Sequence, residues 1–141
     1  MARIDIALPE HFSFLTEITV LSLHINYAAH LDNALLLSLV NDARMRYWHA
    51  LGYGMQDIEG ILPIVGDAAL QYKSEAFLGE VMVVELAARD FHKYGFDLVW
   101  RMREKTTARE VARGKTGILC LDVATRKLTA IPQKFFASLG G

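Results

Sequence analysis

Residues 24–51 read HINYAAHLDNALLLSLVNDARMRYWHAL, a polar loop running directly into an apolar helix. Asp32 or Asn33 suits the N-cap, because either side-chain oxygen can accept the unpaired N–H groups of a first turn. Leu36, Leu39, Val40, Ala43, Tyr47 and Leu51 then recur at helical spacing on one face. Leu35 and Leu37 widen that face, so the helix is expected to be enclosed on most of its sides. Arg44, Arg46 and His49 put positive charge near its C-terminus, and Gly52 is placed to end it. His30, Asp32 and Asn33, gathered at the amino end, are the functional clue.

Outward from this helix the pattern changes to strands. Thr16 to Ile25 alternates, with Ile18 and Val20 on one face and Thr19, Leu21 and Leu23 on the other, and its β-branched content argues for a strand. Ile61 to Tyr72 reads as a strand with Pro63 near its start and Gly66 as a bulge. Ser74 to Gly79 is a connection. Glu80 to Phe91 carries helix-forming residues too, but Val81, Val83, Val84 and the flanking glycine turns favour a strand. Phe96 to Lys105 alternates clearly. Glu110 to Val123 is the last long strand, with Gly114 and Gly117 letting it bend or admit a neighbour closely; a turn leads from it to Leu128–Pro132. The expected class is α+β: one strand, one long helix, then three or four consecutive antiparallel strands, with the sheet burying the helix on its concave face. With no repeat, low-complexity segment or linker, residues 1–141 are expected to form a single domain.

A chain of 141 residues buries roughly 68–70% of its unfolded surface, enough for a core without disulfides or a structural metal. Its 15 basic and 16 acidic residues give a net charge of -1, which argues against a nucleic-acid partner. Cys120 is the only cysteine, so there is no internal disulfide, and between Leu119 and Leu121 it reads as a small buried hydrophobe. The opening residues carry Asp5, Pro9 and Glu10 where a signal peptide needs an apolar core. Ala34 to Val40, the densest apolar run, falls well short of the roughly 20 residues of a membrane span. A cytoplasmic protein with no membrane partner is the expectation. His24, His49 and His92 are scattered without metal-ligand spacing, and no metal or cofactor is expected.

Asn26, Ala29, the run His30-Leu31-Asp32-Asn33-Ala34 and the triplet Asp42-Ala43-Arg44 follow one another at a particular spacing. Tyr72, Gly79-Glu80 and Ile131-Pro132 come later in the same order. This set resembles the hotdog-fold acyl-CoA thioesterases of the 4-hydroxybenzoyl-CoA type, over roughly Thr16 to Phe135. Their segment has an Asp, a Gly three residues later, His-Val-Asn-Asn-Ala, and a helix containing Glu-Ala-Arg. The resemblance implies a hotdog fold, a curved antiparallel sheet wrapped around one long central helix. It implies hydrolysis of acyl-CoA or acyl-carrier thioesters, with no cofactor. It also implies a homodimer or homotetramer with the active site between subunits, and CoA phosphates bound by surface cations such as those among Arg101, Arg103, Lys105 and Arg109. Two positions depart from the pattern. Asn26 stands where the family has the Asp that acts on the thioester carbonyl, and Asp32 stands where it more often has Asn. Asp42 matches an acidic position of the related plant acyl-carrier-protein thioesterases.

Thioester hydrolysis needs a carboxylate or an activated water, and donors for the oxyanion. The catalytic candidates are therefore Asn26, His30, Asp32 and Asp42, with Asp32 activating a water directly or through His30. Amides near Asn33 and Ala34 at the helix tip would polarise the carbonyl, and Tyr27 and Tyr72 complete the substrate-binding set. Each has a plainer reading as well: Asp32 as helix cap, Asn26 as turn residue, His30 as loop histidine, Asp42 as partner of Arg46, Tyr72 as packing. Two other functions remain open. One is a non-catalytic acyl-CoA binder, because Asn26 replaces a carboxylate. The other is a hydratase or dehydratase, although the Asp-x-Asn-Pro-x-His segment of hotdog hydratases is missing.

Overall fold

The computed structural model describes residues 2–54 and 57–141. The first strand, β1 (Phe14–Thr19), pairs antiparallel with β3 (Val81–His92) in the register Thr19↔Val81. That register ends β1 earlier than its alternation suggests, because β3 offers no further partner beyond Val81. The Val20 N–H donates to Glu80 O (2.9 Å) and Val20 O accepts the Gly79 N–H (2.9 Å), after which the expected strand to Ile25 is replaced by a 3-10 turn at Ser22–His24. Its entry is fixed by the Leu21 N–H donating to His24 Nδ1 at 2.9 Å.

The central helix α1 (Leu35–Ala50) buries Leu36, Leu39, Val40, Ala43, Tyr47 and Trp48. Its opposite side carries exposed Ser38, Met45 and His49. Enclosure on most sides is therefore not reached within one chain, since the sheet covers the helix from one direction only. Gly52 ends α1 with φ +95°, the left-handed conformation that glycine adopts without a Cβ penalty.

Strands β2 (Ile61–Tyr72), β4 (Gly95–Glu104) and β5 (Glu110–Asp122) complete an antiparallel sheet in the order β1-β3-β4-β5-β2. Pro63 is tolerated because β2 is an edge strand and needs only one ladder partner. The register shift between Val65 and Asp67 is the bulge expected at Gly66. Gly114 has a packing role: a Cβ there would lie 2.5 Å from Trp100 Cζ2 and 2.7 Å from Ala69 O. Its absence lets the Trp100 indole lie across β5, where Nε1–H donates to Thr116 Oγ1 at 3.3 Å.

Leu128–Pro132 stays outside the sheet except for a bridge between Leu121 and Leu128. A short helix unforeseen from the pattern follows, α2 (Gln133–Ser138). It sets fully buried Phe135 edge-on against Trp48 at 5.2 Å and closes the core at the carboxyl end of α1. Cys120 is buried as expected, and desolvation pushes its thiol up to about 11, which keeps it protonated and unreactive. Among the described residues no helix is long and apolar enough to cross a membrane. Five antiparallel strands curved about one long helix make the α+β class read from the residue pattern and the hotdog architecture that the family resemblance implies.

Candidate active site

Local hydrogen bonding shapes the loop that enters α1. Asn26 Oδ1 accepts the Ala28 N–H at 3.0 Å, the Asn26 N–H donates to His30 O at 3.1 Å, and Asn26 O accepts the Ala29 N–H at 3.0 Å. This is the turn chemistry of an asparagine. The turn closes only because Ala29 takes φ +66°, at the position where the resembling family carries glycine. Ala29→Gly is therefore expected to stabilise the fold by about 0.5–1 kcal/mol, the relief of left-handed strain less the added chain entropy. A urea titration of the two proteins checks it.

Asp32 is a helix cap. Its Oδ2 accepts the N–H groups of Ala34 (3.0 Å) and Leu35 (3.1 Å), and its backbone oxygen accepts the Leu36 N–H (3.0 Å). Its Oδ1 accepts Asn26 Nδ2–H at 3.2 Å. The Asn26 amide first, then the Leu35 and Ala34 amides, hold the Asp32 carboxyl below its usual range, against a smaller opposing effect of desolvation. The two departures from the family pattern are thus in direct contact: an amide at 26 faces a carboxylate at 32. The Ala34 N–H, expected to be free for a substrate carbonyl, is consumed by Asp32. Of the first amides of the helix entrance, the Asn33 N–H is the one with no partner among the described residues.

This contact predicts a two-residue coupling. Asn26→Asp alone sets two carboxylates at hydrogen-bond distance, which cannot both ionise without cost. That variant is expected to melt lower than the parent near neutral pH and to recover as acid protonates one of the pair. The exchange Asn26→Asp with Asp32→Asn restores an amide–carboxylate pair and is expected to recover most of the loss. In the parent the sign is opposite. A depressed Asp32 pKa contributes stability above its unfolded value, near 3.8, and loses it as the pH falls through the folded value. Melting curves of the parent, Asn26→Asp, Asp32→Asn and the double variant at about pH 7 and about pH 3 separate these outcomes.

A cleft of about 300 Å³ opens beside this loop. His30, Asn33 and Leu36, from the loop and α1, form one wall, and Tyr72, Lys73, Ser74 and Glu75, at the end of β2 and just after it, form the other. The Tyr72 hydroxyl donates to Asn33 O at 2.8 Å and ties the walls together. Leu31 N–H donates to Ala76 O at 2.8 Å, bringing the segment after β2 against the loop. Arg109 Nη2 pins the same segment through Glu75 O (3.0 Å) and Glu80 Oε1 (2.7 Å). His30 Nδ1 lies 3.1 Å from Leu31 O, an acceptor only, so this nitrogen carries the proton and Nε2 keeps its lone pair in the neutral ring. That Nε2 lies 3.8 Å from Glu75 Oε1.

Of the residues expected at the site, His30, Asn33 and Tyr72 share the cleft, with Asn26 and Asp32 bonded together in the supporting loop. Tyr27 is fully exposed and does not line the cleft. Asp42 is clasped by Arg46 through two bonds of 3.2 and 3.1 Å. Arg46 also reaches Thr16 Oγ1 (3.1 Å) and Glu17 O (2.7 Å), so this pair fastens α1 to β1 and stands apart from the cleft. Ser74 and Glu75 were not anticipated. The available signal was their place two and three residues after Tyr72, as polar residues in the connection leaving a strand whose last tyrosine was already a candidate.

The basic cluster on β4 and beyond is largely neutralised. Arg101 and Arg103 both bond Glu85 Oε1, Lys105 pairs with Glu17, and Arg109 with Glu80. A second hollow, of about 200 Å³, lies against the sheet at Asp67, His92, Asp97 and Gly117. Its two carboxylates make it a poor receiver of a phosphate-bearing ligand.

No curated protein matches the chain in sequence. Solved structures do match in fold. A 1,4-dihydroxy-2-naphthoyl-CoA thioesterase from Synechocystis superposes with a TM-score of 0.82 at 18% identity, over 90% of this chain and 95% of its own. A DHNA-CoA thioesterase from Staphylococcus aureus superposes with a TM-score of 0.74 at 20% identity, over 82% of this chain and 78% of its own. At these identities the likeness establishes the fold alone. The sequence profile of the thioesterase-like superfamily matches residues 20–139, nearly the whole chain and all of the cleft. The chain belongs to the thioesterase-like superfamily.

Proposed function

We propose that this protein hydrolyses the thioester of acyl-CoA or acyl-carrier substrates in the cleft at the amino end of α1. The observation that carries this reading is the meeting, on one wall, of an unpartnered amide at a helix entrance (Asn33) and an imidazole with a bare Nε2 (His30). The Asn33 N–H suits the oxyanion that develops when the carbonyl is attacked, and the helix dipole adds to it. His30 Nε2 accepts a hydrogen bond from the attacking water and fixes its direction. Asp32, with its oxygens already given to three donors, holds the loop and helix in place rather than activating the water. Addition of water to the carbonyl carbon gives a tetrahedral oxyanion; its collapse breaks the C–S bond and releases a carboxylic acid and a thiol. The exposed side of α1 and the free edge of β2 suit a homodimer or homotetramer in which a second copy closes the cleft.

The test is thiol release from acetyl-, hexanoyl-, palmitoyl- and benzoyl-CoA. Steady turnover of at least one is expected, with no loss of enoyl absorbance from crotonyl-CoA. Tight binding of these thioesters with no thiol released would instead make the protein a non-catalytic binder.

A further inference from the structure

The carboxylates near the cleft are unequally occupied. Asp32 accepts three hydrogen bonds, Asp42 is clasped by Arg46, and Glu80 accepts from both Arg109 and the Phe77 N–H. Glu75 differs. Its side chain lines the cleft, is 61% exposed, and has among the described residues one polar contact, His30 Nε2 at 3.8 Å. That separation is too long for a direct hydrogen bond and short enough for one water to serve both atoms. With Nδ1 bonded to Leu31 O, a neutral His30 presents Nε2 as an acceptor, so acceptor faces acceptor across the gap. A water donating one hydrogen to each turns its oxygen lone pairs away from both, into the cleft.

We propose that Glu75 is a catalytic residue, the general base that takes the proton of a water shared with His30. The inference rests on the thioesterase reading and names the carboxylate that Asn26 fails to supply. As the water oxygen bonds to the thioester carbon, one O–H breaks and its proton passes to the Glu75 carboxylate. The carbonyl electron pair moves to oxygen, facing the Asn33 N–H. On collapse the C–S pair leaves with sulfur as thiolate, and the proton held by Glu75 passes to it. Water is the only co-reactant, and Glu75 ends as it began.

The measurement uses the full chain and the same four acyl-CoA thioesters. Glu75→Gln is expected to lower kcat about 10²–10³-fold with KM changed only a few-fold, since it removes a proton acceptor and little binding. Glu75→Asp should retain part of the rate. Glu75→Ala should regain about tenfold on adding formate, whose carboxylate can occupy the space left at an exposed side chain. All three variants should melt within a degree or two of the parent, as exposed positions do. Full activity in Glu75→Gln beside an active parent would overturn the Glu75 assignment and leave the hydrolase standing. So would a loss that formate does not rescue and that tracks a fall in melting temperature. An inactive parent on all four thioesters would remove both.

Discussion

His30→Ala is expected to lower kcat on acyl-CoA thioesters about a hundredfold, the scale on which misplacing a reacting group is felt, while KM stays within a few-fold. The imidazole touches the fold through one bond, Nδ1–H to Leu31 O. The bonds that shape the loop run through its backbone, where His30 O accepts the Asn26 N–H and the neighbouring Leu31 N–H reaches Ala76 O. Melting temperature should therefore change little while the attacking water loses its guide. His30→Gln is the useful companion, because its side chain can still accept a hydrogen bond but cannot carry charge. It should fall between the parent and the alanine variant. Unaltered kcat in both variants would take His30 out of the chemistry and reduce it to a loop histidine.

Trp100→Ala should cost about 3–5 kcal/mol, the range for removing a large aromatic side chain from a filled core. Trp100 has no exposed surface, and Gly114 gives up its side chain to make room for the indole. Truncation leaves that space empty and strands the Thr116 hydroxyl, itself nearly buried, without its donor. Against a total stability of about 5–15 kcal/mol this is a large share, so partial unfolding at ordinary temperature is the expected phenotype. Trp100→Phe keeps most of the volume and should cost less. Equilibrium urea unfolding of the three proteins measures both steps; a loss under 1 kcal/mol in Trp100→Ala would mean that the indole is not packed across β5 as described.

How much of this was legible in the sequence depended on whether the deciding partner was near or far along the chain. Leu36, Leu39, Val40, Ala43 and Tyr47 announced the buried face of α1 because helical period and burial coincide locally. The bulge at Gly66 and the close approach at Gly114 were equally local signals. The end of β1 was not, since it is fixed by where β3 begins, at Val81. Nor was α2, whose six residues are too few to show a period and whose Phe135 is held by Trp48 and Tyr53. At the site, Asp32 as a cap could be read from its place before the helix. Its bond to Asn26 could not, because it depends on Ala29 turning into the left-handed region. Glu75 was invisible for the same reason: it reaches His30 only after Leu31 has bonded to Ala76 and Arg109 has pinned the segment.

The most direct test is a crystal structure of the protein with a ketone analogue of hexanoyl-CoA, in which CH2 replaces the thioester sulfur. The ketone oxygen is expected within hydrogen-bond distance of the Asn33 N–H, with the carbonyl carbon facing the gap between His30 Nε2 and Glu75. A ketone lodged elsewhere, for instance in the hollow beside Asp67 and Asp97, with His30 and Asn33 untouched, would contradict it.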